Sequence, residues 1–263
     1  MNTKQKEKLN KILSDKTSGS QEILLKLNRF LLSIKNDRKS FINSLSIARN
    51  NLSHFAVIDN YLNKIEKIIE KNYIDIESYL LNIEASEEIK YRKIFEKIYK
   101  KLPNADSILT FSKSDTLINI LKLWHKKNKN LKLVINESRP SYEGKLMAKE
   151  LLKYGMKVTM ITDAMSGIFV QRSDAVIIGA DAILKNGNIV NKTGSLALAL
   201  LCKHLKKPFY VVATKAKNVQ KNRLKINEDY ADVVWKYKHP GLKTTNILFE
   251  EIEKSLITGI ISE

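Results

Sequence analysis

Two short strings, ten residues apart, carry side chains suited to a sugar phosphate: Gly179-Ala180-Asp181 and Asn191-Lys192-Thr193-Gly194-Ser195. Asp181 offers a carboxyl that can hold a proton, Asn191 an amide that both donates and accepts, and Lys192 a compact cation. Val176-Ile177-Ile178 reads as a buried strand, and Gly179 permits a sharp turn at its C-terminal end. Asp181 then falls where an open α/β sheet presents its ligand-binding residues. Asn186-Gly187 marks a tight turn. Thr193-Gly194-Ser195 is expected to cap a helix over 196–205, whose free N–H groups and positive dipole end suit a phosphate.

The rest of the chain must position these groups. Residues 1 to about 101 look all-helical: apolar residues recur at helical spacing, with one glycine and no proline. Ser18 and Gln21 have capping-box spacing ahead of one such helix, and further helices are expected over 38–50, 54–70 and 76–100. Leu102-Pro103-Asn104 breaks the pattern and sets the expected division between a helical bundle, 1–102, and a second domain, 103–263. Strands are expected at 107–111, 131–135, 157–161, 174–178, 209–213 and 231–235. Helices are expected at 116–126, 142–154 and 196–205, with a closing helix at 249–259. Alternating strands and helices imply a parallel sheet with helices on both faces.

The net charge of +18 comes from lysine, since only seven of the 46 basic residues are arginine. The lysines are spread along helices as solvated faces, so sequence-specific nucleic-acid binding is not expected. A non-specific attraction to an acidic or RNA-bearing partner is. No apolar run approaches the ~18 residues of a membrane span. Met1 to Lys11 is polar and does not read as a secretory signal. The single cysteine, Cys202, excludes an internal disulfide and is expected to be a small buried hydrophobe in a reducing cytoplasm. There is no G-x-G-x-x-G after a strand and no P-loop string. The four histidines lack metal-ligand spacing, so no cofactor or metal is expected.

Several strings together carry a resemblance: Ile108-Leu-Thr-Phe-Ser112, Glu137-Ser-Arg-Pro140, Glu143-Gly144, Gly179-Ala-Asp181, Asn191-Lys-Thr-Gly194, Pro208-Phe-Tyr-Val211, and Asn246-Ile-Leu-Phe-Glu250. They resemble the α/β/δ regulatory subunits of translation initiation factor 2B and their archaeal relatives. That superfamily also holds methylthioribose-1-phosphate and ribose-1,5-bisphosphate isomerases. The resemblance implies a helical N-terminal domain, a Rossmann-like C-terminal domain, a ligand pocket between them, and homodimers or larger rings. It implies an aldose–ketose isomerisation in the isomerase branch, run by a cysteine after the first sheet strand and the Gly-Ala-Asp aspartate. Here the aspartate is Asp181, but Ser112 stands at the cysteine position and Phe111 at the preceding histidine.

By the same resemblance, Ser18 and Gly19 at a helix entry, Arg38, Asn191, Lys192 and Lys217 are ligand-binding positions, with Thr17 part of that entry. Arg139-Pro140 reads as architecture, with Glu143 or Asp163 as the arginine's expected partner. The expected function is a regulatory protein that binds a sugar phosphate or nucleoside monophosphate, with the α subunit of initiation factor 2 as a family partner. The alternative is an isomerase that works through Asp181.

Overall fold

The computed structural model describes residues 1–15, 18–222 and 231–263. Thr17 lies outside the described residues. The chain opens with α1 (Thr3–Leu13), α2 (Ser20–Ser33), α3 (Arg38–Leu52), α4 (Ala56–Lys71) and the long α5 (Ile76–Lys101). Their apolar faces close a first core around Leu27, Leu31, Phe41, Leu62 and Leu80. The expected capping box does not form: Gly19 is the N-cap of α2, and Gln21 instead donates to Glu87 at 2.8 Å. Glu87 is buried and already paired with Lys90, so it holds Gln21 away from the helix end.

The second half runs β1 (Ser107–Thr110), α6 (Asp115–Lys127), β2 (Lys132–Asn136), α7 (Glu143–Lys153), β3 (Lys157–Ile161), α8 (Ser166–Arg172), β4 (Ala175–Ile178), β5 (Ala182–Ile183), β6 (Ile189–Lys192), α9 (Ser195–His204), β7 (Phe209–Val212), β8 (Phe249–Ile252) and β9 (Gly259–Ile261). Six strands form a parallel sheet in the order β3-β2-β1-β4-β7-β9. Alternate strand residues face opposite sides. Ile108, Ile135, Ile177 and Val212 pack under α5, α6 and α7, whereas Leu109, Val134, Val176 and Val211 pack under α8 and α9. Helix α5 joins the two halves, because Leu80 lies in the first core while Ile94, Phe95 and Ile98 lie beneath the sheet.

Strand order reverses between β1 and β4: β1 leads outward to β2 and β3, and β4 outward to β7 and β9. A crevice forms at the C-terminal ends of strands flanking such a switch point. Ser112 and Asp181 both follow those ends.

Two expectations fail in the second half, and one helix was not expected. The stretch 249–259 is not a helix but β8, a single 3-10 turn and β9. Its apolar spacing fits either period, and pairing with β6 and β7 decides the outcome. The stretch 231–235 is not a strand: 231–233 form a 3-10 turn, and Val233 to Trp235 face solvent. Helix α8, short and glycine-bearing, was not anticipated. The Asn186-Gly187 turn does form, closing the β5–β6 hairpin with Gly187 at φ 86°. Strand β8 adds to that hairpin and places Glu250 opposite Asn191.

Candidate functional site

The floor of the crevice is built by polar residues held in unusual backbone conformations. Ser112, just beyond β1, has φ 63°, and Ser138, just beyond β2, has φ 61°. Left-handed geometry at a residue other than glycine needs support from its surroundings. Here the Ser112 N–H donates to Ser138 Oγ at 2.7 Å, and Ser138 Oγ donates to the Asn136 carbonyl at 3.1 Å. The Asp163 carboxylate accepts from the N–H groups of Ser138 and Arg139 at 2.9 and 2.7 Å. A Cβ on Gly144 would lie 1.8 Å from the Asn136 carbonyl oxygen, so the Glu143-Gly144 string is a close-approach requirement.

Glu143, at the start of α7, is the hub. One carboxylate oxygen accepts from the Ser112 hydroxyl, and the other pairs with Lys192 Nζ at 2.7 Å. Lys192 is 2% exposed, so that ion pair lies largely out of water on its side. The sequence offered Glu143 only as a partner for Arg139. In the structure the Arg139 guanidinium lies over the Tyr142 ring, bonds its hydroxyl and reaches the Val234 carbonyl, while Asp163 takes the Arg139 backbone N–H.

Asp181 and Lys217 form the second polar group. The Asp181 N–H donates to the Val190 carbonyl at 2.8 Å, which fixes the loop. Burial pushes its carboxyl above the usual carboxylate range, Glu143 and Asp115 push the same way, and Lys217 and Lys192 oppose them. Lys217 is buried, with its amine donating to Ser20 Oγ at the start of α2. Burial lowers its pKa, and Asp181 and Asp115 oppose the shift. Burial favours the neutral form of both groups, and the charge of each opposes the shift of the other.

Both helix N-termini that the sequence assigned to the ligand are met by carboxylates of the chain itself. At α9 the Thr193-Gly194-Ser195 side chains do not cap. Glu250 accepts from the N–H groups of Gly194 and Leu196 at 2.7 and 2.8 Å, which corrects the phosphate assignment there. Gly194 has φ 108°, and a Cβ on it would lie 2.6 Å from the Phe111 ring. Asn191 is buried and donates to Ser195 Oγ at 2.8 Å. At α2, Asp115 accepts from the Glu22 N–H at 3.2 Å and would lie 2.5 Å from a Cβ on Gly19. Lys113 joins this cluster at 3.4 Å from Asp115 and 3.3 Å from Glu22. Ser18 sits beside it, its N–H on Asp15 and its hydroxyl accepting from Lys26.

Arg38 is not brought to this crevice. It opens α3, just after the C-terminal end of α2, and stacks 5.2 Å from the Tyr73 ring centroid, whose hydroxyl bonds the Lys35 carbonyl. The fourteen residues of α2 separate that end from Gly19 by about 21 Å. The crevice is approached instead by the start of α4, which the sequence gave no reason to single out. There Ala56 packs with Ala182, Leu184 and Val190, and Asn60 donates to the carbonyls of Ala216 and Asn218. Cys202 is buried under the sheet, and its thiol is pushed up to about 12 by burial.

A family model described as the initiation factor 2 subunit family matches residues 4–263. The chain belongs to that family. A Pyrococcus furiosus relative, named a putative translation initiation factor eIF-2B subunit 2-like, is 36% identical over 162 residues, 62% of this chain and 58% of its own length. A Methanocaldococcus jannaschii relative, named ribose 1,5-bisphosphate isomerase, is 32% identical over 169 residues, 62% of this chain and 55% of its own. The aligned parts thus span less than two thirds of either relative. Among solved structures, a Pyrococcus horikoshii eIF-2B superposes with TM-score 0.84 at 24% identity, covering 100% of this chain and 96% of that one. A 5-methylthioribose 1-phosphate isomerase of the same organism gives 0.82 at 22%, covering 98% and 82%. These superpositions show the fold. The family holds both factor-like proteins and isomerases.

Proposed function

We propose that this family member binds a phosphorylated small molecule, a sugar phosphate or nucleoside monophosphate, in the crevice and does not isomerise it. One observation carries this reading: the hydroxyl of Ser112 is spent on Glu143, which is itself paired with Lys192. A serine needs a strong local base to act as a thiolate does. Its partner here is a carboxylate already committed to the buried Lys192. Cys202 offers no replacement, being buried on α9 with a thiol that stays protonated at neutral pH. Binding would use Lys192, Lys217, Asn191 and the loop around Ser18 and Gly19. Titration calorimetry against ribose 5-phosphate and adenosine monophosphate, using the protein and its Lys217→Met variant, tests this. Heat from at least one ligand, lost in the variant, is expected; no heat from either ligand contradicts it.

A second reading has its own observation. The Asp181–Lys217 pair is shifted toward its neutral forms, which suits a group that passes a proton between substrate oxygens or carbons. In an isomerase of this kind Asp181 would be the proton carrier, and Asp181→Asn would abolish turnover while leaving binding largely intact.

We read the chain as two domains, 1–102 and 103–263, with the crevice between them. Self-association would use the sheet-bearing half, where Ile168 and Leu200 on α8 and α9 are about half exposed. The tetrameric eIF2B-beta2-delta2 complex of C. thermophilum, TM-score 0.67 at 15% identity, shares this fold and supports assembly as the expectation. A cytoplasmic setting and contact with the α subunit of initiation factor 2 accompany the family assignment. No described helix is long and apolar enough to cross a membrane.

A further inference from the structure

Three aromatic rings stand in a row on the exposed segment between the 3-10 turn at 231–233 and β8. The Trp235 and Tyr237 ring centroids are 5.0 Å apart with planes 29° off parallel. Tyr237 and His239 follow at 6.4 Å and 9°. The rings alternate with Lys236 and Lys238 along the Trp-Lys-Tyr-Lys-His run. Trp235 is 56% exposed and Tyr237 53%, with Val233 and Val234 beside them also open to solvent. Large aromatic surface left in water beside cations marks a contact site rather than a fold requirement. The crevice does not use any of these residues.

The patch continues across the Ser138–Tyr142 turn. Arg139 reaches the Val234 carbonyl at 3.5 Å and lies 5.0 Å from the Tyr142 ring centroid, and Lys145 covers the same ring at 3.8 Å. Lys238 is paired with Asp232, and Lys145 is 3.7 Å from Glu137; Lys236 and Lys243 are exposed. Below Tyr237 a shallow recess of about 330 Å³ is lined by Tyr237, Lys238, His239, Pro240, Leu242 and Thr244.

We propose that this aromatic row is a docking surface for single-stranded RNA, read without sequence preference. Bases stack on exposed aromatic faces, and each stacked base contributes about 1–3 kcal/mol in single-strand binders. Phosphates pair with the interleaved lysines and Arg139 and release counterions. Local charge favours this occupant over a second copy of this face, since two copies docked ring to ring would set Arg139, Lys236 and Lys238 against one another.

The test is fluorescence anisotropy of a labelled oligouridylate of about 12 nucleotides, within the ~4–16 nucleotide span of such platforms, titrated with the full chain. Tryptophan emission is read in parallel. Trp124 is 1% exposed, so quenching by bases can arise only at Trp235. Expected are binding that weakens as salt rises, quenching of tryptophan emission, and at least about tenfold weaker binding by the Trp235→Ala/Tyr237→Ala double variant. A Trp235→Phe variant should retain binding but lose the quench. Absent binding, or binding without quenching and unchanged in the double variant, overturns the proposal in favour of bare charge attraction. A dimer in sedimentation that the double variant dissociates, without quenching by RNA, overturns it in favour of a second copy.

Discussion

Neutralising Glu143 should destabilise the protein even though the residue sits at a candidate binding site. Glu143→Gln preserves shape and can still accept from the Ser112 hydroxyl, but it leaves Lys192 as a cation with 3% of its side chain exposed and no carboxylate at 2.7 Å. Breaking a buried pair from one side costs about 3–5 kcal/mol. Glu143 is 29% exposed, and Asp181 lies close enough to interact electrostatically with Lys192, so the cost falls at or just below the bottom of that range, about 2–3 kcal/mol. For a chain of this size each kcal/mol moves Tm by about 2–4 °C, so a fall of roughly 4–12 °C is expected. Adding Lys192→Met should recover most of the loss, because the unpaired charge is then gone. Calorimetric melting of the two single variants and the double variant completes the cycle. A Glu143→Gln Tm within about 1 °C of the parent, below what 0.5 kcal/mol would produce, would refute the reading of Glu143 as the hub.

Other predictions follow from the same geometry. Asp115→Asn removes a negative charge from the start of α2, so inorganic phosphate and ribose 5-phosphate should bind more tightly; at about 6 Å and an effective dielectric near 20 the Coulomb ceiling is about 3 kcal/mol per phosphate charge, about a hundredfold, and the Lys113 already paired with Asp115 leaves about tenfold. Calorimetry showing equal or weaker binding would contradict it. Asp181 holds its proton more tightly folded than unfolded, so its contribution to stability is full below the ordinary pKa of about 3.9 and is lost as pH rises through the raised folded value. Asp181→Asn should therefore gain on the parent as pH climbs from 4 toward neutrality, and parallel urea-unfolding profiles for the two proteins across that range would count against it. Gly144→Ala forces a Cβ against the Asn136 carbonyl and should cost about 3 kcal/mol or more, measured by urea unfolding; a shift under 1 kcal/mol would show that the strand–helix approach is slack.

The sheet was legible because its strands are short apolar runs separated by helical spacing, and Gly187 stands where a turn needs positive φ; Gly179 is demanded instead by the close approach of Ser114. Asp181, Asn191 and Lys192 were legible as polar residues at strand ends. Glu143, Asp115 and Glu250 were not, because what defines each is a contact made across 31, 93 and 56 residues of chain, to Ser112, Glu22 and Gly194. A helix N-terminus reads as an open anion site in sequence, and only the fold shows that a distant carboxylate has taken it. Arg38 was assigned to the ligand by resemblance; it does open α3 as expected, but at the far end of α2 from Gly19. The last stretch was ambiguous in period, and edge pairing with β6 and β7 settled it as strand.

The central claim is binding without isomerisation, and phosphorus NMR of ribose-1,5-bisphosphate with stoichiometric protein over hours tests it most directly. Shifted or broadened substrate resonances with no new lines are predicted. New product resonances that grow with time and vanish in Asp181→Asn would contradict the account and make the chain an isomerase that dispenses with the thiol.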